Sequence, residues 1–334
     1  MIIENAKTYN VTDVENIFFR PSFCGKAAEE FGIRILYNMP LPTKVPLFKH
    51  NNDLLKSFTS GWQGGSAGTR SQKEIAMTKL KAESAYSAED YFSTIYEMIT
   101  NSAEVNLGDL TGTDLEKAET ELFRRAIAEN IYVCTWFGDT QKNVSEFSTF
   151  DGLFRHMIDY VENTIEETPL KIFDVPQYIS KIESLFRDAW TRASDDLRAL
   201  ASEGQLAYFV SSDIYDAYQF FLDKNGSSNA YTDSTNGRPA LSYHGIPIIE
   251  VPAQKYLLNR CASFCVLTDK RNLVLALNTA DSPEKEIKMW YNPDEMENRQ
   301  RVVFLAGTAV LDCNLVSGYL YDNAITVEDE TDNL

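Results

Sequence analysis

Leu206-Ala207-Tyr208-Phe209-Val210-Ser211-Ser212-Asp213-Ile214-Tyr215-Asp216-Ala217-Tyr218 changes its hydrophobic period halfway along. Residues 206–210 form a compact apolar run bounded by polar residues, which reads as a strand. Ser211-Ser212-Asp213 then offers side-chain oxygens to the unpaired N–H groups of a helix start. Ile214, Tyr218, Phe221 and Leu222 recur on one helical face, and Asn225-Gly226 closes it. A strand feeding a capped amphipathic helix marks mixed secondary structure, and the flanking sequence decides its arrangement.

Upstream, the periodicity is helical. Thr113-x-x-Glu116 is a capping box, in which hydroxyl and carboxylate each satisfy an orphan backbone N–H. Leu115, Ala118, Leu122, Ala126, Val133 and Trp136 then follow at helical spacing, with Glu116, Thr120, Arg124 and Glu129 on the other side. Gly138 is placed as a left-handed stop. About 24 residues at 1.5 Å rise give a helix roughly 36 Å long, enough to act as the spine of a domain. Residues 88–100, 150–165 and 175–200 also read as helical. Downstream the pattern turns to strands: Gly245–Val251, Phe264–Thr268 and Leu273–Leu277 joined by 269–272, then Glu286–Tyr291 and Arg301–Tyr321. Helices and strands are segregated, so the expected class is α+β. The acidic tail Val327–Leu334 is expected to fray.

The stretch 41–81 belongs to neither half. Pro40, Pro42 and Pro46 impose extended backbone. Ser60-Gly61-Trp62-Gln63-Gly64-Gly65-Ser66-Ala67-Gly68-Thr69 is a glycine-rich tip, and Glu74–Lys81 reads as the returning strand. Together they form a long two-stranded loop, which is marginal alone and needs another surface to lie on. Residues 1–35 read as an arm with one short helical stretch.

Composition limits the functions this chain can have. In 334 residues, 31 Lys and Arg against 49 Asp and Glu leave a net charge of −18. That balance argues against a dedicated nucleic-acid reader, which needs a basic face to displace counterions from phosphates. A 44% hydrophobic and 12% aromatic content excludes a wholly disordered chain. No run of about 18 apolar residues spans a membrane, and the start lacks the pattern of a signal peptide. Cys24, Cys134, Cys261, Cys265 and Cys313 read as free buried thiols. Cys261 and Cys265 have no second pair or nearby His to complete a zinc site, and His50, His156 and His244 are scattered.

Catalytic signatures are missing: there is no G-x-S-x-G elbow, H-E-x-x-H or Walker sequence. Gly61–Gly68 lacks the strand, helix and Lys-Ser/Thr of a phosphate cradle, so it reads as a flexible loop. Asp195/Asp196 and Glu166/Glu167 read as solvated neighbours in an acidic chain, and His244 beside Gly245 reads as a turn or packing residue. Trp62 is the exception, because an exposed indole on a glycine-rich tip is costly unless it docks; it reads equally as an interface anchor or as a locally packed side chain.

In element order the chain resembles the major capsid proteins of tailed bacteriophages, of the Hong Kong 97 lineage. The proline-rich arm and glycine-tipped hairpin are similar to that lineage's extended loop. Thr113–Phe137, followed by Gly138-Asp139-Thr140, is similar to its spine helix. Phe150-Asp151-Gly152-Leu153 opens a region similar to its axial domain, within which Tyr208–Tyr218, Tyr243–Ile249 and Cys265–Leu273 match in succession. The resemblance implies an N-terminal arm (1–40), an extended β-hairpin loop (41–85), a peripheral domain with the spine helix (86–149 and 276–334) and an axial domain (150–275). It also implies a non-enzymatic shell subunit that assembles with itself as hexamers and pentamers and encloses double-stranded DNA without sequence-specific binding. It implies no cofactor, no metal and no membrane. Separate scaffolding, portal and decoration proteins are further partners that the resemblance allows; with the arm before the loop short, it implies that any scaffold is a separate protein or that the chain assembles without one. The implied location is the virion, after assembly in the host bacterial cytoplasm. Candidate subunit-interface residues are Trp62, Gly64, Gly65, Arg70 and Lys73. The alternative is an encapsulin-like nanocompartment, the same fold around protein cargo.

Overall fold

The computed structural model describes residues 32–50, 55, 57–61, 64–65, 67–87, 114–141, 147–164, 167–173, 182–224, 241–252, 263–279 and 287–321. The arm before residue 32, the stretch 88–100, the capping Thr113, the stop at Asn225-Gly226 and the tail lie outside them.

Two sheets organise the described chain. The first contains β1 (Arg34–Leu36), β10 (Leu273–Leu277), β12 (Glu297–Val310) and β11 (Lys288–Asn292) in that order, with β4 (Thr78–Ser87) paired along β12. The second runs β5 (Leu170–Phe173), β13 (Val316–Tyr321), β9 (Ser263–Asp269), β6 (Leu206–Val210), β8 (Ile246–Glu250) and β7 (Ser242–Tyr243). A separate two-stranded ribbon pairs β2 (Thr43–His50) with β3 (Gly68–Ile75).

The spine helix α1 spans Asp114–Phe137, 24 residues, as its periodicity predicts. Its C-terminal half meets both sheets. Ile127, Ile131, Trp136 and Phe137 share one cluster with Val302 and Phe304 of β12 and with Phe209 and Phe264 of the second sheet. Phe154, from α2 (Leu153–Asn163), sits at the centre, with ring centroids 5.6 Å from Trp136 and 4.5 Å from Phe264. Such offset aromatic pairs each add about 0.5–1.5 kcal/mol beyond area burial. A second cluster fills the other face of the second sheet, under α3 (Ile182–Arg192), α4 (Asp195–Ala199) and α5 (Ser212–Lys224).

Several local expectations change. Gly138 does not adopt a positive φ. It is small for a different reason: a Cβ there would fall onto the Phe150 and Cys134 carbonyls. Gly152 N–H donates to the Gly138 carbonyl at 2.8 Å, and Asp151 accepts from the Thr140 N–H and hydroxyl at 2.9 and 2.8 Å. Helix exit and next helix start are thus laced together. Glu129, expected on the polar side of α1, is buried, because the helix is covered on more than one side. Thr120 also lies inward, its hydroxyl 3.0 Å from the Met289 sulfur on β11. The returning strand of the hairpin is Gly68–Ile75, and Thr78–Lys81 instead opens β4, paired with β12.

The segment 264–277 reads as strand joined to strand and 301–321 as one long strand-like stretch, yet each crosses between sheets. Lys270–Asn272 and Cys313–Leu315 are single 3₁₀ turns at the two crossings. Asn272 binds them side by side: its Nδ2 donates to the Asp312 carbonyl at 2.9 Å and its Oδ1 accepts from the Asp312 N–H at 2.8 Å. β5 carries no signal in the sequence, since four residues are too few for a periodicity. His244 and Gly245, with φ of 50° and 80°, form the two-residue turn between β7 and β8, as their position predicts.

Candidate assembly surfaces

Among the described residues, the hairpin packs on the first sheet at its base. Val45 and Ile75 at its base pack on Val274, Ala276 and Ala309 of the first sheet. Thr43, also buried, donates its hydroxyl to the Pro40 carbonyl at 2.6 Å. The stem crosses β12 at Gly307, where a Cβ would collide with the Ala76 carbonyl. Only glycine lets the two backbones approach there.

Beyond the base, the ribbon leaves the core. β3 is exposed from Thr69 to Glu74. Phe48 is half exposed, and Leu55 and Phe58 are 95% and 96% exposed. Lys49 Nζ forms an ion pair with Asp196 Oδ2 of α4 at 3.0 Å, between two exposed side chains.

The five interface candidates fall out unequally. Trp62 lies outside the described residues. Gly64 has φ of 68° and Gly65 of 157°, and a Cβ at Gly64 would meet nothing within 4 Å, so conformation rather than crowding selects glycine there. Arg70 is exposed on β3 opposite Phe48. Lys73, opposite Val45, lines a cleft of about 390 Å³ between the hairpin base, α2 and the end of β12, with Glu74, His156, Asp159 and Cys313. The His156 Nε2–H donates to the Thr308 carbonyl at 3.0 Å. Burial holds its imidazole below the ordinary histidine range, against the opposing pull of Asp151. Burial likewise pushes the Cys313 thiol up, away from the reactive thiolate.

Sequence reasoning passed over Phe48, Leu55 and Phe58, although alternating or isolated apolar residues in an unsupported ribbon are a readable signal. It also passed over the open face of the first sheet, where Trp290, Met296 and Val303 are exposed. Among the described residues, no group of three His, Cys, Asp or Glu side chains is disposed to hold a metal ion, and no helix is long and apolar enough to cross a membrane. Cys265 is wholly buried in β9 as apolar filler, while Cys261 lies outside the described residues.

A long helix spanning two sheets, with a ribbon projecting from the base of one, is an architecture that other proteins share. A chain of the satellite phage P4 procapsid including the size determination (Sid) protein superposes with a TM-score of 0.52 at 10% identity, covering 88% of this chain and 94% of that one. A chain from the capsid of a native GTA particle gives 0.53 at 12% identity, covering 92% and 93%. The fold is the Hong Kong 97 capsid fold. The holo-SrpI encapsulin complex from Synechococcus elongatus PCC 7942 shares it, at a TM-score of 0.52 and 9% identity, covering 96% and 98%. No protein-family profile and no curated protein sequence matches the chain. The capsid fold therefore persists here through element order and packing, at identities too low to carry individual residues across.

Proposed function

We propose that this chain is a major capsid protein of a tailed phage or prophage, assembling with itself as hexamers and pentamers into a closed icosahedral shell around double-stranded DNA. The observation that carries this reading is the hairpin, on a capsid fold, with Leu55 and Phe58 almost fully exposed on a ribbon that has no core of its own. Burying a large apolar side chain contributes roughly 1.5–3 kcal/mol, a gain repeated at every contact if a neighbouring copy covers the ribbon. Under this reading Trp62 is a further anchor at the tip, Gly64 and Gly65 are adjustable joints, and Arg70 faces the neighbour, while Lys73 lies on the opposite face of the ribbon, against its own chain's cleft.

The reading makes the chain a structural protein with no catalytic step, resident in the virion after assembly in a host cytoplasm. Scaffolding, portal and decoration proteins would be separate chains. Residues 41–85 form its extended loop, 86–149 and 276–334 its peripheral domain, and 150–275 its axial domain. Because β13 hydrogen-bonds into the second sheet, 316–321 is where the peripheral segment reaches into the axial part. The net charge of −18 suits a wall that contains DNA without gripping it.

Electron microscopy of the expressed chain tests the proposal. Closed shells or tubes are the expected result, and a monodisperse monomer at every concentration overturns it. The likeness to the SrpI encapsulin supports a second reading, a protein-filled nanocompartment. Ultraviolet absorbance of native particles separates the two, since a nucleic-acid spectrum fits only the virion.

A further inference from the structure

The open face of the first sheet departs from the acidity of the chain. Antiparallel partners share a face, so the register gathers Lys81 with Val303, Glu83 with Arg301, Arg301 with Lys288 and Arg299 with Trp290. Lys79 joins them opposite Leu305. The alternate residues, Val302 and Phe304, point into the core. Five cations thus stand on a single surface of a molecule whose net charge is −18.

Three carboxylates lie among them. Glu83 is 2.7 Å from Lys81 and 3.9 Å from Arg301, while Glu295 and Glu297 both hold Arg299. Lys79 and Lys288 have no carboxylate partner among the described residues. The Arg301 guanidinium lies 5.5 Å from the centre of the Trp290 ring, which is itself 41% exposed, beside Val303 at 45%. Tryptophan and arginine at the centre with lysines around them is the composition of a binding surface.

The sequence after β13 supplies the complementary chemistry. Ala324-Ile325-Thr326-Val327-Glu328-Asp329-Glu330-Thr331-Asp332 has two apolar residues in alternation, four acids and no base. We propose that this segment of a second copy docks in extended form on the open face. Ile325 and Val327 lie against Trp290 and Val303, and the acids face Lys79, Lys81 and Lys288. The proposal rests on the shell reading for the supply of neighbouring copies. β13 and the exposed part of β12 leave the turn at Cys313–Leu315 in different sheets, and the partner is therefore taken to be a second copy. The few residues between Tyr321 and Ile325 reach only about 14 Å when fully extended.

The test titrates a fluorescent peptide of residues 322–334 into the full chain carrying Glu328→Gln, Asp329→Asn, Glu330→Gln and Asp332→Asn, so that no intrinsic segment competes. Saturable binding is expected, weakened about tenfold or more by Lys79→Gln, Lys81→Gln and Lys288→Gln together and reduced by added salt. A peptide with its acids neutralised should not bind. An absence of saturable binding, or binding indifferent to the three lysines, overturns the proposal. So does short duplex DNA that binds the same lysines more tightly than the peptide, since it makes the packaged genome the occupant. Peptide binding by a native chain that never forms particles removes the shell reading and leaves the docking as a contact between copies. Normal shells with no peptide binding do the reverse.

Discussion

The two sheets use similar strands and differ in what covers them. Every residue of β6, β9 and β13 in the second sheet is buried, because helices lie on both of its faces. In the first sheet β12 alternates buried and accessible residues from Asn298 to Ala306, since α1 covers one face only. Continuous apolar runs mark a strand covered twice, and alternation marks a strand with a face left over. The hairpin is the limiting case: among its described residues, those at the base are anchored and most of those beyond it are exposed. The closed sheet gives the chain its own stability, and under the shell proposal the uncovered surfaces are what it offers its neighbours.

Substitutions should separate these regions. The largest effect belongs to Phe154→Ala, which empties the junction between α1 and the second sheet and should cost about 3–5 kcal/mol in chemical denaturation. A loss below 1 kcal/mol would mean that the closed sheet is not the stabilising unit. Next comes Gly307→Val, which drives a side chain into the Ala76 backbone and should cost about 1–3 kcal/mol while lifting the hairpin stem. Limited proteolysis within 41–77 should accelerate in that variant.

Acidification has a smaller effect of definite sign. His156 is held neutral by burial, so the unfolded chain binds its proton first as pH falls through the ordinary imidazole range near 6.5. Stability should therefore be complete above that range and decline below it, and His156→Gln should flatten the decline. Asp151, Asp159 and Lys73 also bear on this ring, and an unchanged slope in the variant would assign the pH dependence to carboxylates instead. Lys49→Ala removes an ion pair between two exposed side chains and should shift the unfolding midpoint by less than experimental scatter. The smallest effect on the subunit comes from Leu55→Ser with Phe58→Ser, within about 0.5 kcal/mol. That pair should nonetheless abolish particles in the electron microscope. Unimpaired shells would show that the ribbon's exposure serves some other contact.

Much of this was legible in the residues themselves. The 3.6 period from Leu122 to Trp136 determined the spine helix, and the apolar run at 206–210 followed by Ser211-Ser212-Asp213 determined a strand and its helix, because such patterns depend on near neighbours alone. Prolines and glycines between 40 and 68 determined that a ribbon projects. The tertiary structure decided the rest. It sent the joined strands 263–269 and 273–277 into different sheets, turned Glu129 inward, made Gly138 a point of backbone contact rather than a left-handed stop, and set Gly307 against the Ala76 backbone. It also gathered Lys79, Lys81, Lys288, Arg299 and Arg301 from three strands onto one face of an acidic protein. Hydrophobic period reports which residues of a segment want cover. Which segment supplies the cover, and which face is left open, follows only once long-range strand register is set.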